Sequence, residues 1–394
     1  MPESPSSPIL FKKEAQMSKL QVLEAVTTMV GCILGAGIFG IPYVVAQAGF
    51  LTGLLDIIII GVFVLIAYLY LGEVVLRTNG KHQLTGYAEK YLGRWGKLAM
   101  AFSMVFGIYG ALTAYIMAEG TAISSILGGS PLIYSLLFFI VVSYLTYHGL
   151  ETLEKSELFT VFLIFIAVVI ILFFTSPHIN SANLTGFSAK KIFVPYGVIL
   201  FAYLGMISVP EVKEILEHNK KRMKKTLIVG MAIPAVVYVL FTLVVVGAVG
   251  IDNFNTLGPN ERLATIALGK VISPKMFIMA NLFAVFAMFT SFIAVAFALK
   301  EMFMYDYHLN KKISWALTCF IPLGVALSNL TNFISALNIV GIVAGGIDAV
   351  LIVLMFHKAK RIGDREPEYA IKENKFLSFL IMALFVSGVI SLLF

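Results

Sequence analysis

The stretch Gly35-Ala36-Gly37-Ile38-Phe39-Gly40-Ile41-Pro42 decides how this chain is read. It lies inside the first long apolar segment, roughly residues 20–46, where a membrane helix would otherwise run straight through. Each glycine costs a helix interior about 1 kcal/mol relative to alanine, and proline removes a donor and crowds the preceding turn. In hydrocarbon a freed backbone group costs several kcal/mol unless it is buried in protein or lines a polar cavity. A break is therefore expected here, with something polar beside it. A second interruption, Gly205-Met206-Ile207-Ser208-Val209-Pro210, occurs in the sixth apolar segment, and again a glycine stands five positions before a proline. Paired interruptions in corresponding segments of two halves are the sequence pointer to a transporter's binding site.

The rest of the chain agrees with a membrane setting. Of 394 residues 59% are hydrophobic and only 13% charged, and the mean hydropathy is +0.92; a soluble domain carries about a quarter charged residues. Apolar runs long enough to cross about 30 Å of hydrocarbon fall near residues 20–46, 51–76, 97–126, 131–149, 156–176, 190–216, 226–250, 273–304, 313–328, 332–356 and 376–393, which predicts an all-α protein of eleven transmembrane helices. The first run is too long and too interrupted for a cleaved signal peptide. With the N-terminus cytoplasmic, 24 of the 29 Lys and Arg residues fall on inner connections, a bias that puts the N-terminus inside and the C-terminus outside. The net charge of +7 then follows from topology and gives no reason to expect nucleic acid. Cys32 and Cys319 sit in apolar runs, so no disulfide framework is implied.

Residues 1–18, rich in Ser and Pro, read as an unstructured cytoplasmic tail. The stretch 78–97 suits a short amphipathic helix on the inner surface, and 260–268 a short surface helix able to act as a lid. Asp56 and Glu73 mark the two ends of the second span. Glu119, in the third span, is read either as a vestibule residue or as a structural hydrogen-bonder, since a carboxylate there faces a cavity or a partner. His148, Glu151, Glu154 and Glu157 cluster at an inner turn and read as solvated. Asp348, in the tenth span, is left between backbone pairing, titration during transport and packing.

Five spans over 19–176 begin inside and five over 190–357 begin outside, so the halves read as inverted repeats, with a peripheral eleventh helix at 376–394. The half-helix starting after Gly37 directs free N–H groups from Ala36 to Phe39, and a helix dipole, at a site that suits a carboxylate. Half-helices ending near Leu34 and Tyr203 offer carbonyls that suit an ammonium. A ligand with both charges close together is an α-amino acid, although other zwitterions and small anions fit the same chemistry.

Gly31-Cys-Ile-Leu-Gly-Ala-Gly-Ile-Phe-Gly-Ile-Pro-Tyr43, with Phe201-Ala-Tyr-Leu-Gly205 and eleven spans, resembles the amino acid permeases of the amino-acid-polyamine-cation superfamily, most of all its amino acid/auxin and aromatic amino acid permease branches. The resemblance implies a LeuT-like five-plus-five fold and alternating access. It also implies that Gly35, Ala36, Gly37 and Ile38 hold the substrate carboxylate, and that carbonyls around Cys32, Ile33, Phe201 and Ala202 hold its amine. By the same resemblance a sodium ion would sit on carbonyls of Gly31, Leu34 and Ala287 and the hydroxyls of Thr290 and Ser291, although Thr290 and Ser291 equally suit bonds back to their own helix. Some relatives couple to protons through a lysine in the fifth span, which this sequence lacks; the coupling ion is expected to be Na+ or H+, with no other cofactor. Ala36, Tyr109, Tyr203 and Ser208 read as pocket walls without a committed charge, which favours a neutral substrate with an aromatic or branched side chain; a basic substrate would need Glu119 or Asp348 to face the pocket. The expected partners are this amino acid and the bilayer, in the cell membrane. The alternative is a sensor that uses the same pocket without translocation. No metal-ligand spacing such as HExxH occurs, which argues against an enzyme.

Overall fold

The computed structural model describes residues 8–148, 157–272, 274–328 and 330–392, and among them regular structure is entirely helical. In chain order the helices are α1 (Pro8–Ile33), α2 (Gly37–Ala48), α3 (Phe50–Leu76), α4 (Leu84–Leu127), α5 (Pro131–His148), α6 (Glu157–Thr175), α7 (Tyr196–Tyr203), α8 (Ser208–Ile215), α9 (Met223–Asn255), α10 (Ala264–Val271), α11 (Pro274–Tyr305), α12 (Lys311–Leu327), α13 (Phe333–Ile362) and α14 (Lys375–Ser391). Helix occurs in each of the eleven apolar runs. Among the described residues six helices are long and apolar enough to cross a membrane by themselves, and the pair α1 and α2, bent by 53° at its break, is long and apolar enough when taken as one span. The helices of the sixth run are short because that run is also interrupted: α7 and α8 have eight residues each.

Small residues set the close contacts that bring these helices to the breaks. Gly107 of α4 faces Ala344 of α13, where an added Cβ would come within 3.3 Å, and Gly110 lies against Val340 with no room for one. Gly341 lies directly on the carbonyl of Gly197 in α7. Since lipid is as apolar as leucine, such backbone approach, and not hydrophobic collapse, is what holds membrane helices together. The order of these contacts, 107 with 344 and 110 with 340, makes α4 and α13 antiparallel.

Two expected surface elements take a different form. The amphipathic stretch begins at Leu84 and runs into α4 through a kink at Gly93, whose φ of 74° lies in the left-handed region that favours glycine. The expected lid does not lie on the surface. Ala264, Ile266, Ala267 and Leu268 of α10 are buried, and the helix packs on α2, α9 and α11, because its apolar face is too large to leave uncovered. At the N-terminus, helix begins at Pro8 where an unstructured tail to residue 18 was expected; residues 1–7 lie outside the described ones. Of the cluster at the inner turn, Glu151 and Glu154 also lie outside them.

The opposite end of the bundle is held by charge. Glu73, fully buried at the end of α3, accepts from Arg77 Nε and Lys360 Nζ at 2.9 Å each and from the Ile371 amide at 2.6 Å. Lys90 and the Asn79 amide bind Asp364 and hold its carboxyl below the usual range. Glu73 thus has a structural role in this arrangement.

Candidate functional site

The two interruptions meet. Ile33 ends α1 and Gly37 begins α2; Tyr203 ends α7 and Ser208 begins α8. Each break packs on the other through its glycine. A Cβ on Gly37 would lie 2.6 Å from Cα and Cβ of Ala202, and a Cβ on Gly205 would lie 2.7 Å from Cγ1 of Ile33. Neither approach is open to a larger residue without movement.

Loose backbone ends at the breaks are partly tied. The hydroxyl of Tyr238, on α9, lies 2.7 Å from both the Ile33 and Ala202 carbonyls, one on each broken helix. Tyr68 of α3 donates to the Tyr203 carbonyl at 3.1 Å, and Ser208 Oγ to the Gly205 carbonyl at 2.7 Å. The Leu204 amide takes the Phe201 carbonyl at 3.0 Å. The Ile33 carbonyl also accepts the Gly35 amide at 2.9 Å, so both its lone pairs are engaged, whereas the Phe201 carbonyl, and the Ala202 carbonyl that shares the single Tyr238 proton with Ile33, each keep a lone pair. Among the amides expected to be free, Phe39 N–H bonds Ala36 O at 3.0 Å and Ile38 N–H reaches Gly35 O at 3.4 Å, while that of Ala36 meets the Tyr115 hydroxyl.

A cavity of about 110 Å³ opens between the breaks. Cys32, Ile33, Gly35, Gly37, Phe201 and Ala202 of the expected substrate site line it. Ala36 and Ile38 are buried behind them. None of the four expected walls lines it: Ala36 is one of those buried behind, and Tyr203, Ser208 and Tyr109 face elsewhere. Tyr203 turns away, donating its hydroxyl to the Ile57 carbonyl at 3.1 Å with its ring on Tyr238. Ser208 is buried and spends its hydroxyl on the break itself. Tyr109 lies on another side of α4. Successive helical residues point about 100° apart, so Tyr203 cannot face the same way as its neighbour Ala202.

The walls missed by sequence reading come from α4 and α13: Ser103, Gly107, Ala111 and Tyr115 on one, Val340, Ala344 and Asp348 on the other. Both sets recur every four residues, the spacing of one helical face, and that stripe is the signal that would have found them. Tyr115 stands at the end nearest the first break, where its hydroxyl and that of Ser291 would lie 3.2 and 3.6 Å from a Cβ on Gly35. Asp348 stands at the other end beside Ser103. Glu119, by contrast, is fully buried in α4 away from the cavity lining, and neither carboxyl oxygen has a hydrogen-bond partner.

The residues expected to hold sodium are only partly gathered. Ser291 reaches the first break. Thr290 donates back to its own helix, to Phe286 O at 3.2 Å and Ala287 O at 3.1 Å. Gly31 faces Val161 of α6, 3.1 Å from an added Cβ, and the Leu34 amide closes on Val30 O at 2.8 Å. Among the described residues no group of three or more His, Cys, Asp or Glu is arranged to hold a metal.

With two broken helices enclosing a cavity, comparison with known proteins is decisive. The model of the tryptophan/tyrosine permease family matches residues 18–392. The chain belongs to that family. A tyrosine-specific transport system 1 from Haemophilus influenzae is 25% identical over 353 residues, 84% of this chain and 86% of that protein. A glutamine transporter 2 from Aliivibrio fischeri is 24% identical, covering 79% and 82%. A low affinity tryptophan permease from Proteus vulgaris is 25% identical, covering 74% and 75%. As a member of the tryptophan/tyrosine permease family the chain is a multi-pass membrane protein of amino acid transport, among permeases and not enzymes.

Proposed function

We propose that this permease is a secondary active transporter that carries neutral amino acids by alternating access, driven by a sodium or proton gradient. The observation that carries the reading is the meeting of two broken helices at one cavity. A substrate carboxylate would sit at the start of α2, around Gly35 and Gly37, where the helix dipole favours an anion. Its ammonium would take the carbonyls around Cys32, Phe201 and Ala202, and that of Ile33 only in exchange for the Tyr238 hydroxyl or the Gly35 amide that it now accepts. The tyrosine, tryptophan and glutamine named for the relatives are all neutral side chains.

The finer architecture belongs to the same proposal: eleven crossings, with 19–176 and 190–357 as inverted repeats of a LeuT-like fold, the N-terminus cytoplasmic and the C-terminus outside. The antiparallel pairing of α4 with α13 and the break in each half support it. For the ion, Gly31, Leu34, Ala287, Thr290 and Ser291 remain the proposed sodium site, with Ser291 the member closest to the first break.

Proteoliposomes holding the purified chain test the reading. Radiolabelled tyrosine, tryptophan and glutamine are offered under an inward sodium gradient and, separately, an inward proton gradient. Accumulation above equilibrium under one of them is expected. Uptake indifferent to both would overturn coupling, and saturable binding with no uptake would identify a sensor. If sodium is the driver, Ser291→Ala lowers the sodium dependence; an unchanged dependence removes that ion site.

A further inference from the structure

Among the described residues Asp348 is the one carboxylate lining the cavity, and no Lys, Arg or His lines it with Asp348. Its Oδ1 has no hydrogen-bond partner. The groups facing it are neutral: Ser103 of α4 beside it, and Tyr68 of α3 nearby, whose hydroxyl is spent on Tyr203. Ser103 in turn donates to the Ala344 carbonyl at 3.0 Å, one turn before Asp348, which ties this corner of α4 to α13. Ser103 is the one hydroxyl beside the carboxyl, and its single proton is shared with the Ala344 carbonyl, so Oδ1 is left as an acceptor without a donor, which is costly at such a depth.

Its position gives it a use. The first break lies at the Tyr115 end of the cavity and Asp348 at the Ser103 end, about three turns of α4 away, with Tyr68, which closes on the second break, nearby. Between them the lining is apolar, from Met104, Ile108, Val295 and Val340. Because α13 runs antiparallel to α4, and side chains lean toward the N-terminus of their own helix, Asp348 leans back toward the first break. A bound amino acid anchored by its carboxylate and ammonium would send its side chain along the apolar wall to this oxygen.

We propose that Asp348 is a specificity residue that reads a hydrogen-bond donor at the far end of the substrate's side chain. The inference rests on the amino acid reading of the cavity. It selects a chemical class: side chains with an apolar body that end in O–H or N–H. A phenol, an indole and a carboxamide all meet it, and these end the side chains of the amino acids named for the relatives. A site built to bond a donor rejects the analogue lacking it, since its own acceptor is then left unpaired.

The test is ligand-dependent thermal stabilisation of the purified full chain in detergent, titrated with matched pairs: tyrosine against phenylalanine, tryptophan against 1-methyltryptophan, glutamine against methionine. In the unaltered protein the donor member of each pair binds more tightly, by about tenfold or more. Asp348→Ala removes the preference by weakening the donor member alone. Asp348→Asn, which keeps an acceptor oxygen, retains part of it and guards against a folding defect in the alanine variant. Equal binding within pairs by the unaltered protein, or a preference that survives Asp348→Ala, overturns the proposal while leaving the amino acid reading standing. If no member of any pair binds, the amino acid reading fails and this proposal with it.

Discussion

The two breaks look alike in sequence and are secured differently. The first, at residues 34–36, is shaped by lack of room: Gly37 touches the backbone of Ala202, and the Tyr115 and Ser291 hydroxyls crowd Gly35. The second, at 204–207, is shaped by hydroxyls, with Tyr68, Tyr238 and Ser208 each donating to a carbonyl there or just before it. Both breaks are short of room and share the Tyr238 hydroxyl; what sets the second apart is the further pair of hydroxyls, Tyr68 and Ser208, that close on its carbonyls. A glycine-proline spacing therefore marks where a helix stops without saying what keeps it stopped.

That contrast can be broken by substitution. The largest effect is expected from Gly37→Ala, because its neighbour at 2.6 Å is backbone of another helix, which has nowhere to go; transport in proteoliposomes should fall to background. Near-normal uptake would mean that the contact is not tight in the working protein. Tyr238→Phe comes next. It removes the one hydroxyl proton shared by the Ile33 and Ala202 carbonyls; Ile33 keeps the Gly35 amide, so the Ala202 carbonyl is the group left short, at about 1–3 kcal/mol, read as a lower midpoint in thermal unfolding. Gly205→Ala should be milder than Gly37→Ala, because its near contacts are side-chain atoms, Cγ1 of Ile33 and the Tyr68 hydroxyl at 2.7 and 2.9 Å, which yield further than the backbone of another helix. If the two glycine variants were equally damaging, the distinction between the breaks would be lost. Smallest is Ser208→Ala, which removes one neutral hydrogen bond, about 1 kcal/mol, with binding of tyrosine little changed.

The comparison also explains what could be read in advance. Break positions were legible because glycine and proline act on the backbone itself, wherever the chain folds. The apolar runs were legible for the same local reason. Cavity walls were not, because facing depends on helix phase and on which helix lies opposite. Tyr203 adjoins the break in sequence and turns to α3, whereas Asp348 is remote in sequence and faces the cavity. Ser103, Gly107, Ala111 and Tyr115 form a stripe that carries no unusual residue, so only the four-residue repeat announces it. For α10, a short apolar segment between charged turns gave its existence and its helical form, but its burial was decided by α2, α9 and α11. Glu119 stays as sequence left it, a carboxyl in a span, now seen without a partner.

The cluster around Glu73 has a mechanical consequence. One dry carboxylate gathers α3, α13 and the chain following α13 into a single knot with two cations and an amide. Pulling any one strand out would leave charge stranded in a poor solvent for it, so this end of the molecule resists piecemeal loosening and must swing as a block or stay shut. Shielded from water, the knot also escapes the Debye screening that slackens surface ion pairs, and its grip should hold across a wide range of ionic strength.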